Sequence, residues 1–314
     1  MGWLSRRLGM TIDSLLAAEV VTADGRLLIA SADDHPELFW ALRGGGGNFG
    51  VVTRLRFQLH PLGDVLAGDI ILPATREVLR ALVPTLLAAP EELTAMPSIM
   101  TAPPDPRIPA EMQGRPVVYC SLVWSGAPEA AAPALAALRG LATPIADTVV
   151  SKPYPDLFSE GGDDEGPAWG VASRTVFVDA LDDALIDVIL GRLASPSATE
   201  ALVQLRVLGG AVARMPNAAT AYGWRDRPVA VWLITPFADL DRAPDHEAWT
   251  EAFAGELRAR IEAPAGAYVN FMGAEDGDAV RAAYPPATLE RLRDVKRRYD
   301  PDNRFRANRN IAPA

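Results

Sequence analysis

The clearest alternation of apolar and polar residues lies between Val51 and Leu59, and this period of two is typical of a half-buried β-strand. Upstream, two short β-prone runs, Ala18 to Val21 and Arg26 to Ala30, flank the tripeptide Ala23-Asp24-Gly25. Because an Asp-Gly pair is a strong signal for a tight turn between strands, these runs predict a hairpin.

A short helix is predicted between the hairpin and that strand. Asp33 or Asp34 can cap its first turn, where Pro36 is also well placed. The helix is expected to end near Leu42, because the four glycines at 44–47 cannot continue it. The predicted order is hairpin, helix, glycine turn and strand.

The glycine run also resembles a phosphate-binding loop in its spacing. Gly45, Gly47 and Gly50 match the G-x-G-x-x-G pattern of a dinucleotide fingerprint. That fingerprint needs a strand before the glycines and a helix after them, whereas the predicted order here is the reverse, which argues against a Rossmann domain. The run is expected either to stop the helix or to let the next strand approach a cofactor closely.

Beyond residue 62 the pattern changes to amphipathic helices that alternate with β-prone runs, which is typical of an α+β or α/β unit. Helices are predicted at 76–88, 128–141, 181–193, 246–261 and 289–298, and strands at 117–124, 171–178, 202–208, 229–235 and 268–272. Two segments, 89–114 and 154–166, are rich in Pro, Gly and acidic residues, which predicts surface loops.

Composition narrows the kind of partner. The 314 residues are 49% hydrophobic and 22% charged, as in a soluble globular protein, and the formal net charge is −10. Such an acidic chain is not expected to bind nucleic acid or an anionic membrane, so a small-molecule partner is favoured. No apolar run approaches the ~20 residues that span a bilayer. Residues 1–7 have no hydrophobic segment behind their charges, so a cytoplasmic location is expected.

Other kinds of site find little support in the sequence. Cys120 is the only cysteine, so it cannot form an intrachain disulfide and is expected to be a buried structural thiol. Three scattered histidines and one cysteine do not make a recognisable metal site. The G-x-S-x-G elbow of a serine hydrolase is also missing from the sequence.

A longer match surrounds the glycine run. Residues 38–53 resemble a signature of FAD-linked oxidases whose flavin domain is of the vanillyl-alcohol-oxidase type. Residues 7–15 are similar to the segment that follows the glycine-rich flavin loop of that family, and residues 19–25 continue the similarity in register.

The end of the chain indicates a subgroup. Residues 299–311, preceded by 268–271, resemble the terminal motif of the berberine-bridge-enzyme-like oxidases. Residues 209–214 and 220–225 are similar to substrate-domain strands of the same family. The chain is identified as a member of this family, and the resemblance covers essentially its whole length.

The resemblance implies an α+β fold with two parts. One is the rear half of a vanillyl-alcohol-oxidase-type FAD-binding domain, and the other is an α/β substrate domain whose antiparallel sheet is covered by helices. Residues 1–62 are assigned to the flavin domain, 63–265 to the substrate domain, and 266–314 to a C-terminal segment that returns to the flavin domain.

The front of the flavin domain is not found in the sequence. In relatives with a bicovalent flavin, a histidine and a cysteine in two loops bond the flavin ring, and both precede the position of Met1. His35 and His60 lie in the wrong segments to replace that histidine, and Cys120 lies in the substrate part. A late start codon, a split gene or a cloning boundary is expected, and covalent or non-covalent attachment of the flavin stays open.

The resemblance places a catalytic tyrosine at Tyr268. The phenol would act as a base or hydrogen-bonding group beside the substrate. Its reference pKa of about 10 means that it needs help to act as a base near neutral pH. Asn270, two residues further along a predicted strand, would point the same way and fix the substrate or the flavin edge. The alternatives are an aromatic side chain that packs against the sheet and a surface asparagine.

Further contacts follow from the same resemblance. The cofactor is expected to contact the main chain of Gly9 and Val52, and the chain near Asn308 and Asn310. On the substrate side, strand 229–235 is nearly all apolar, whereas relatives often carry acids or amides there. The polar residues expected to face the substrate instead are Gln204, Arg206 and Thr235.

The implied function is an FAD-dependent oxidoreductase that oxidises a CH–OH or CH–N group of a small molecule, with hydride transfer to the flavin. Dioxygen is one candidate electron acceptor, and oxidase or dehydrogenase activity stays open. The alternative is a non-catalytic fragment, or one part of a split oxidase, that cannot hold FAD alone.

Overall fold

The computed structural model describes residues 1–158, 169–195, 200–262, 265–272, 277–307 and 309–313. The helices are α1 (Ser5–Leu8), α2 (Pro36–Leu42), α3 (Arg76–Ala88), α4 (Ala132–Arg139), α5 (Asp183–Leu193), α6 (Gly210–Arg214), α7 (Ala243–Arg258), α8 (Gly277–Ala282) and α9 (Pro286–Tyr299). The strands are β1 (Leu15–Val21), β2 (Leu27–Ser31), β3 (Val51–Phe57), β4 (Val65–Pro73), β5 (Leu93–Thr101), β6 (Pro116–Trp124), β7 (Ala146–Asp147), β8 (Val150–Lys152), β9 (Gly170–Val178), β10 (Leu202–Val207) and β11 (Val229–Phe237).

A small antiparallel sheet in the order β2-β1-β3 begins the fold. Val20 in the middle strand is completely buried, because this face of the sheet packs against α2 and α9. The predicted hairpin and helix are therefore confirmed. The predicted half-burial of the third strand is wrong, because residues 51–56 are all exposed at the sheet's edge.

A larger antiparallel sheet follows, in the order β7-β4-β6-β5-β10-β11-β9, with β8 also paired to β4. Its inward residues, such as Val203, Leu205 and Leu233, share one apolar core with residues of α3, α4, α5 and α7. The helices therefore cover one face of the sheet, and the predicted α+β fold with a helix-covered antiparallel sheet is confirmed. Among the described residues, no helix is both long enough and apolar enough to cross a membrane.

Three further sequence predictions were wrong. The segment 89–114 is not a loop throughout, because it contains β5, a central strand of the large sheet. Residues 268–272 do not form a strand; a 3₁₀ turn spans Val269–Phe271 instead. Neither Asp33 nor Asp34 caps α2. Their backbone amides donate hydrogen bonds to the Ser31 hydroxyl. His35 occupies the N-cap position, with a left-handed backbone.

Two elements that are far apart in sequence are joined by a buried ammonium group. Lys296 in α9 is completely buried, and its Nζ donates hydrogen bonds to the Asp300 carboxylate (2.6 Å), the Asn48 carbonyl (2.9 Å) and the Phe305 carbonyl (2.8 Å). The Asp300 carboxylate also accepts hydrogen bonds from the amides of Arg304 and Phe305. We call these residues the Lys296 anchor, and it fixes the C-terminal segment to the end of the glycine run.

A second buried ion pair ties the first residues of the chain to the large sheet. Arg225 and Asp13 are 2.5 Å apart, with side chains that are 1% and 6% exposed. Asp13 also accepts a hydrogen bond from the Met10 amide, and Arg225 donates another to the Thr220 hydroxyl. This pair brings the segment around Gly9 next to the residues that follow β10.

Replacement of Lys296 with Met is predicted to lower the free energy of unfolding by about 3–5 kcal/mol, because it leaves a buried carboxylate without its cation. Urea denaturation measures the change. The matched control is Arg297→Met, whose ion pair with Asp294 is more than half exposed and should cost at most about 1 kcal/mol. Equal losses in the two variants would show that the Lys296 anchor is not a major stabilising contact.

Asp300 is predicted to add to the acid sensitivity of the fold. Burial alone would raise the pKa of this carboxyl, but hydrogen bonds from Lys296 and from the amides of Phe305 and Arg304 outweigh it and hold the pKa below its usual value. The stabilisation is therefore present above the ordinary aspartate pKa of about 3.9 and is lost as pH falls through the lower folded value. Urea titrations at pH values from about 5 downward should show a smaller pH dependence in Asp300→Asn than in the unaltered protein; identical slopes would contradict the assignment.

Candidate functional site

The face of the large sheet opposite the helices carries most of the polar side chains that the sequence singled out. One cross-strand row runs Ile71, Tyr119, Ser98, Gln204, Trp232 and Thr175. Because side chains alternate between the faces of a strand, Arg206 and Asp69 lie on this same face. We call it the open face.

Tyr268 lies at one end of the open face. Its side chain is only 5% exposed and packs in a cluster with Met10, Phe177 and Trp224. The ring makes an edge-to-face contact with Tyr222, with centroids 5.6 Å apart. Its Oη accepts a hydrogen bond of 3.0 Å from the Asn270 side-chain amide.

Asn270 therefore contacts Tyr268, but the contact is made through a turn and not along the predicted strand. The 3₁₀ turn is closed by a 2.8 Å hydrogen bond from the Phe271 amide to the Tyr268 carbonyl, and it folds the Asn270 side chain back towards the phenol. The same turn stacks Phe271 on Trp232 of the open face, with ring centroids 3.8 Å apart. The turn thus fixes the phenol beside the sheet.

Opposing effects act on the pKa of Tyr268. Burial raises the pKa of the phenol above its ordinary value, while the hydrogen bond from Asn270 and the positive charge of Arg206 act to lower it. Burial has the largest effect. Tyr268 is therefore a protonated phenol at neutral pH, and two neighbours stabilise its ionised form.

Two cations lie near this phenol: the Met1 ammonium, whose nitrogen is 3.4 Å from the Tyr268 Oη, and Arg206 on the sheet. The Arg206 guanidinium lies 5.6 Å from the Trp232 ring centroid and 5.3 Å from that of Phe271. Its Nη1 contacts the Met96 sulfur. Burial lowers the pKa of Arg206 to about 10, so the group stays charged at neutral pH.

The three residues predicted to face the substrate do not all lie on one side. Gln204 lies on the open face and donates a 3.0 Å hydrogen bond to Ser98. Thr235 lies on the helix-covered face, where its hydroxyl accepts a 2.9 Å hydrogen bond from Thr250 of α7. The structure brings Gln204, Arg206 and Tyr268 to one surface, but not Thr235.

A polar cleft at the other end of the open face was missed by the sequence reasoning. It has a volume of about 360 Å³, and its walls include Trp3, Asp69, Arg107 and Ser121. The Asp69 carboxylate accepts hydrogen bonds from the Ser121 hydroxyl (2.7 Å) and from Arg107 (2.8 Å). A signal was available only in hindsight, because β4 was not predicted and Asp69 is a single acid within an apolar run.

Asn310 lies in the C-terminal segment that the Lys296 anchor holds. The Asn48 side chain grips both neighbours of Asn310: its amide donates to the Arg309 carbonyl (3.0 Å), and its oxygen accepts from the Ile311 amide (2.9 Å). The Asn310 Oδ1 atom is itself buried, and no described residue donates to it. A buried acceptor without a donor is costly for a protein, so this atom is suited to an N–H or O–H group of a ligand.

The other residues expected at the cofactor are less completely placed. Gly9 ends α1 with φ of +82°, and a side chain there would meet that of Asp13. Val52 is 39% exposed on the edge strand β3. Asn308 lies outside the described residues.

The glycine run ends α2 and permits a close backbone contact. Gly44 has φ of +137°, and a Cβ atom there would collide with the backbone of Tyr222, the residue whose ring packs on Tyr268. A helix precedes the run and a strand follows it, so the prediction that excluded a Rossmann loop is confirmed. The glycine run therefore lets the end of α2 pack directly against the backbone of Tyr222.

The one cysteine of the chain lies on the other side of the sheet. Cys120 is fully buried on the helix-covered side, and burial, with a smaller effect of Asp69, raises the pKa of its thiol to about 12. In the ranges that the structure describes, no three His, Cys, Asp or Glu side chains are grouped so that they could bind a metal ion.

Comparison with known proteins gives consistent results. Residues 267–312 match the family model described as berberine and berberine like. The chain is 30% identical over 327 residues to (R)-6-hydroxynicotine oxidase of Paenarthrobacter nicotinovorans, with 100% of this chain aligned to 68% of that protein.

Solved structures share the fold. The crystal structure of 6-hydroxy-D-nicotine oxidase from Arthrobacter nicotinovorans matches with a TM-score of 0.78 and 27% identity, over 100% of this chain and 69% of that one. The xylooligosaccharide oxidase from Myceliophthora thermophila C1, in complex with xylobiose, matches with a TM-score of 0.85 and 22% identity over the same shares of the two chains. This second likeness concerns the fold alone.

The sequence motifs, the two-sheet fold and the similarity to a relative over the full chain agree with one another. The Asn310 oxygen, buried without a donor and held between two fixed neighbours, fits the binding of a flavin cofactor. The chain belongs to the berberine-bridge-enzyme-like family of FAD-linked oxidoreductases.

Proposed function

We propose that this chain acts in the FAD-dependent oxidation of a CH–OH or CH–N group of a small molecule. The observation that carries the proposal is the buried Tyr268 phenol, which is hydrogen-bonded to Asn270 and lies beside Arg206 at the open face. The similarity to a nicotine oxidase supports a small organic substrate. Dioxygen is the proposed electron acceptor, as the names of the relatives suggest.

The domain division proposed from the sequence assigns residues 1–62 and 266–314 to the flavin side and 63–265 to the substrate side. Its support is the apolar core that α2 and α9 share: it contains Phe49 and Ile311, no strand residue of the large sheet and, among the described residues 63–265, only Ala221. On this division Asn310, Gly9 and Val52 would hold the cofactor, and Gln204 and Arg206 would face the substrate.

FAD, when bound, accepts the hydride that leaves the substrate carbon. Tyr268 would hold the substrate's hydroxyl or amine by a hydrogen bond at Oη. The Asn270 amide keeps Oη in place, and both Asn270 and Arg206 favour the phenolate that can take the substrate's proton. The packed rings of Phe271, Trp232 and Tyr222 would exclude water from this end of the open face.

The second candidate function is that of one part of a split oxidase, which cannot hold FAD alone. It is favoured by the edge of the small sheet. In the described part of the chain the two edge strands, β2 and β3, are each paired with β1 alone. Leu27 and Ile29 on β2 and Val51 on β3 are more than half exposed. An unpaired apolar edge is a common docking site for another polypeptide. Titration of the folded chain with FAD, followed by visible absorbance, separates the two: a bound flavin spectrum supports the first, and a folded protein without it supports the second.

Asn310→Ala is predicted to weaken FAD binding by roughly tenfold, because the removed oxygen is the acceptor proposed for the cofactor. The dissociation constant is measured by fluorescence quenching of FAD. Asn303→Gly serves as the control: this residue lies in the same segment with φ of +52°, which glycine tolerates, and it is not one of the residues proposed to contact FAD, so its loss should leave FAD binding unchanged. If both variants bind FAD as the unaltered protein does, the contact at Asn310 is absent.

Tyr268→Phe is predicted to lower kcat by roughly 10²–10⁴-fold while the flavin spectrum stays unchanged, since the ring is kept and only the proton acceptor is lost. In FAD-loaded unaltered protein, kcat should rise with alkaline pH, because the phenol's pKa is raised and the phenolate is the base. This rise should vanish in the variant. Tyr222→Phe, which changes the neighbouring ring in the same way, should keep both kcat and the rise. Full turnover by Tyr268→Phe would remove Tyr268 from the mechanism.

A further inference from the structure

The other well-buried arginines of the described chain are held by oxygen atoms. Arg225 pairs with Asp13, and Arg174 pairs with Glu247 and Glu251. Arg6 donates to the carbonyl oxygens of Leu86 and Ala89. Such pairing is expected, because a buried cation without an oxygen partner is unfavourable.

Arg206 departs from this rule. No carboxylate of a described residue lies within 4 Å of its guanidinium, and its contact is with the Met96 thioether, a weak acceptor. Its Nε atom is buried without an acceptor among the described residues, as are the Nε atoms of Arg6 and Arg225. The terminal nitrogens of those two arginines bond to oxygen atoms, whereas no oxygen of a described residue accepts from the terminal nitrogens of Arg206. A charged group is therefore held at the open face with unused hydrogen-bond donors.

Arg192 on the opposite side of the sheet shows what a structural arginine looks like in similar surroundings. Its guanidinium also lies beside two aromatic rings, 5.8 Å from the centroid of Trp249 and 5.9 Å from that of Phe253. Unlike Arg206, it is neutralised by Glu256 at 2.5 Å. Aromatic contacts at Arg192 are thus accompanied by a carboxylate, which Arg206 lacks among the described residues.

The neighbours of Arg206 add a second unused polar atom. Gln204 lies two residues before it on β10 and faces the same way, and its Oε1 is buried without a donor in the described part of the chain. A guanidinium that lacks an anion and an amide oxygen that lacks a donor are complementary to one ligand that carries both an anionic group and an N–H or O–H group.

We propose that Arg206 binds a carboxylate of the substrate, so that the substrate class is an organic acid that carries the hydroxyl or amine to be oxidised. This inference rests on the proposed function, since it takes Tyr268 as the residue at the reacting group. Gln204 accepts a hydrogen bond from the substrate's own donor. Arg206 is then the residue that sets specificity for acids over neutral alcohols and amines.

The test is calorimetric titration of the 314-residue chain with benzoate, and with benzamide as a neutral probe of the same shape. Benzoate is expected to bind roughly tenfold more tightly than benzamide, because a hydrogen bond to a charged partner is the stronger one. Arg206→Gln should reduce this ratio to about one, and Arg206→Lys should restore part of it. Equal binding of the two probes by the unaltered protein would overturn the proposal.

The matched control is Arg192→Gln, which removes an arginine with similar ring contacts on the other side of the sheet and should leave the ratio unchanged. Circular dichroism checks that each variant is folded. Arg206→Gln leaves no carboxylate of a described residue without its partner, so it should remain folded. Loss of the ratio in Arg192→Gln as well would show that benzoate does not bind at Arg206.

Titration with and without added FAD separates this inference from the proposed function. If benzoate competes with FAD, Arg206 pairs with the cofactor and the inference is wrong. Preference for benzoate in a chain that binds no FAD would leave the anion site standing and overturn the proposed oxidation. Bound FAD with no preference for benzoate would support the proposed oxidation and overturn the anion site.

Discussion

The Lys296 ammonium is completely buried, and the arrangement of the first and last parts of the chain depends on its three acceptors. These are a carboxylate four residues further along the chain, a carbonyl in the C-terminal segment and the carbonyl of Asn48 beside the glycine run. A cation in such a place needs all of them, because each unmade contact leaves charge without compensation. The acceptors come from separate segments, so the anchor can form only when those segments are assembled.

From this constraint follows the geometry around Asn310, the proposed cofactor contact. Asn48 is held through its backbone by Lys296, and its side chain in turn holds the residues on either side of Asn310. The two motifs that carry the family resemblance, around the glycine run and at the C-terminus, are therefore in direct contact. Although they are far apart in sequence, the two motifs form one local structure.

Much of the fold could be predicted from local pattern, and the failures have identifiable causes. The composition of 89–114, rich in Pro, Gly and acidic residues, predicts a loop throughout. The structure has β5 within this segment, and it contains Pro97, although proline is unusual in a central strand. The structure accommodates it because pairing with β10 covers only residues 98–100, just beyond the proline. The sequence predicts a strand at 268–272, where the structure has a turn, because a short apolar run has no decisive period.

The site was predictable only in part, for a similar reason. Tyr268 and Asn270 could be placed together, because they are close in sequence and matched a family motif. The face on which Thr235 lies depends on how β11 is packed against α7. The lack of an anion beside Arg206 depends on the side chains of every strand paired near it. Neither fact is present in any local stretch of sequence.

The large sheet thus separates two kinds of polar residue. On the helix-covered face, arginines such as Arg174 and Arg192 are neutralised and serve the fold. The open face keeps polar atoms unsatisfied, at Gln204 and Arg206, as a ligand site requires. The central claim, that the segments joined by the Lys296 anchor form the wall of the FAD site, is tested most directly by hydrogen exchange of the chain with and without FAD. The account predicts slower amide exchange in residues 44–52 and 300–311 when FAD is bound; bound FAD with unchanged exchange in both segments would contradict it.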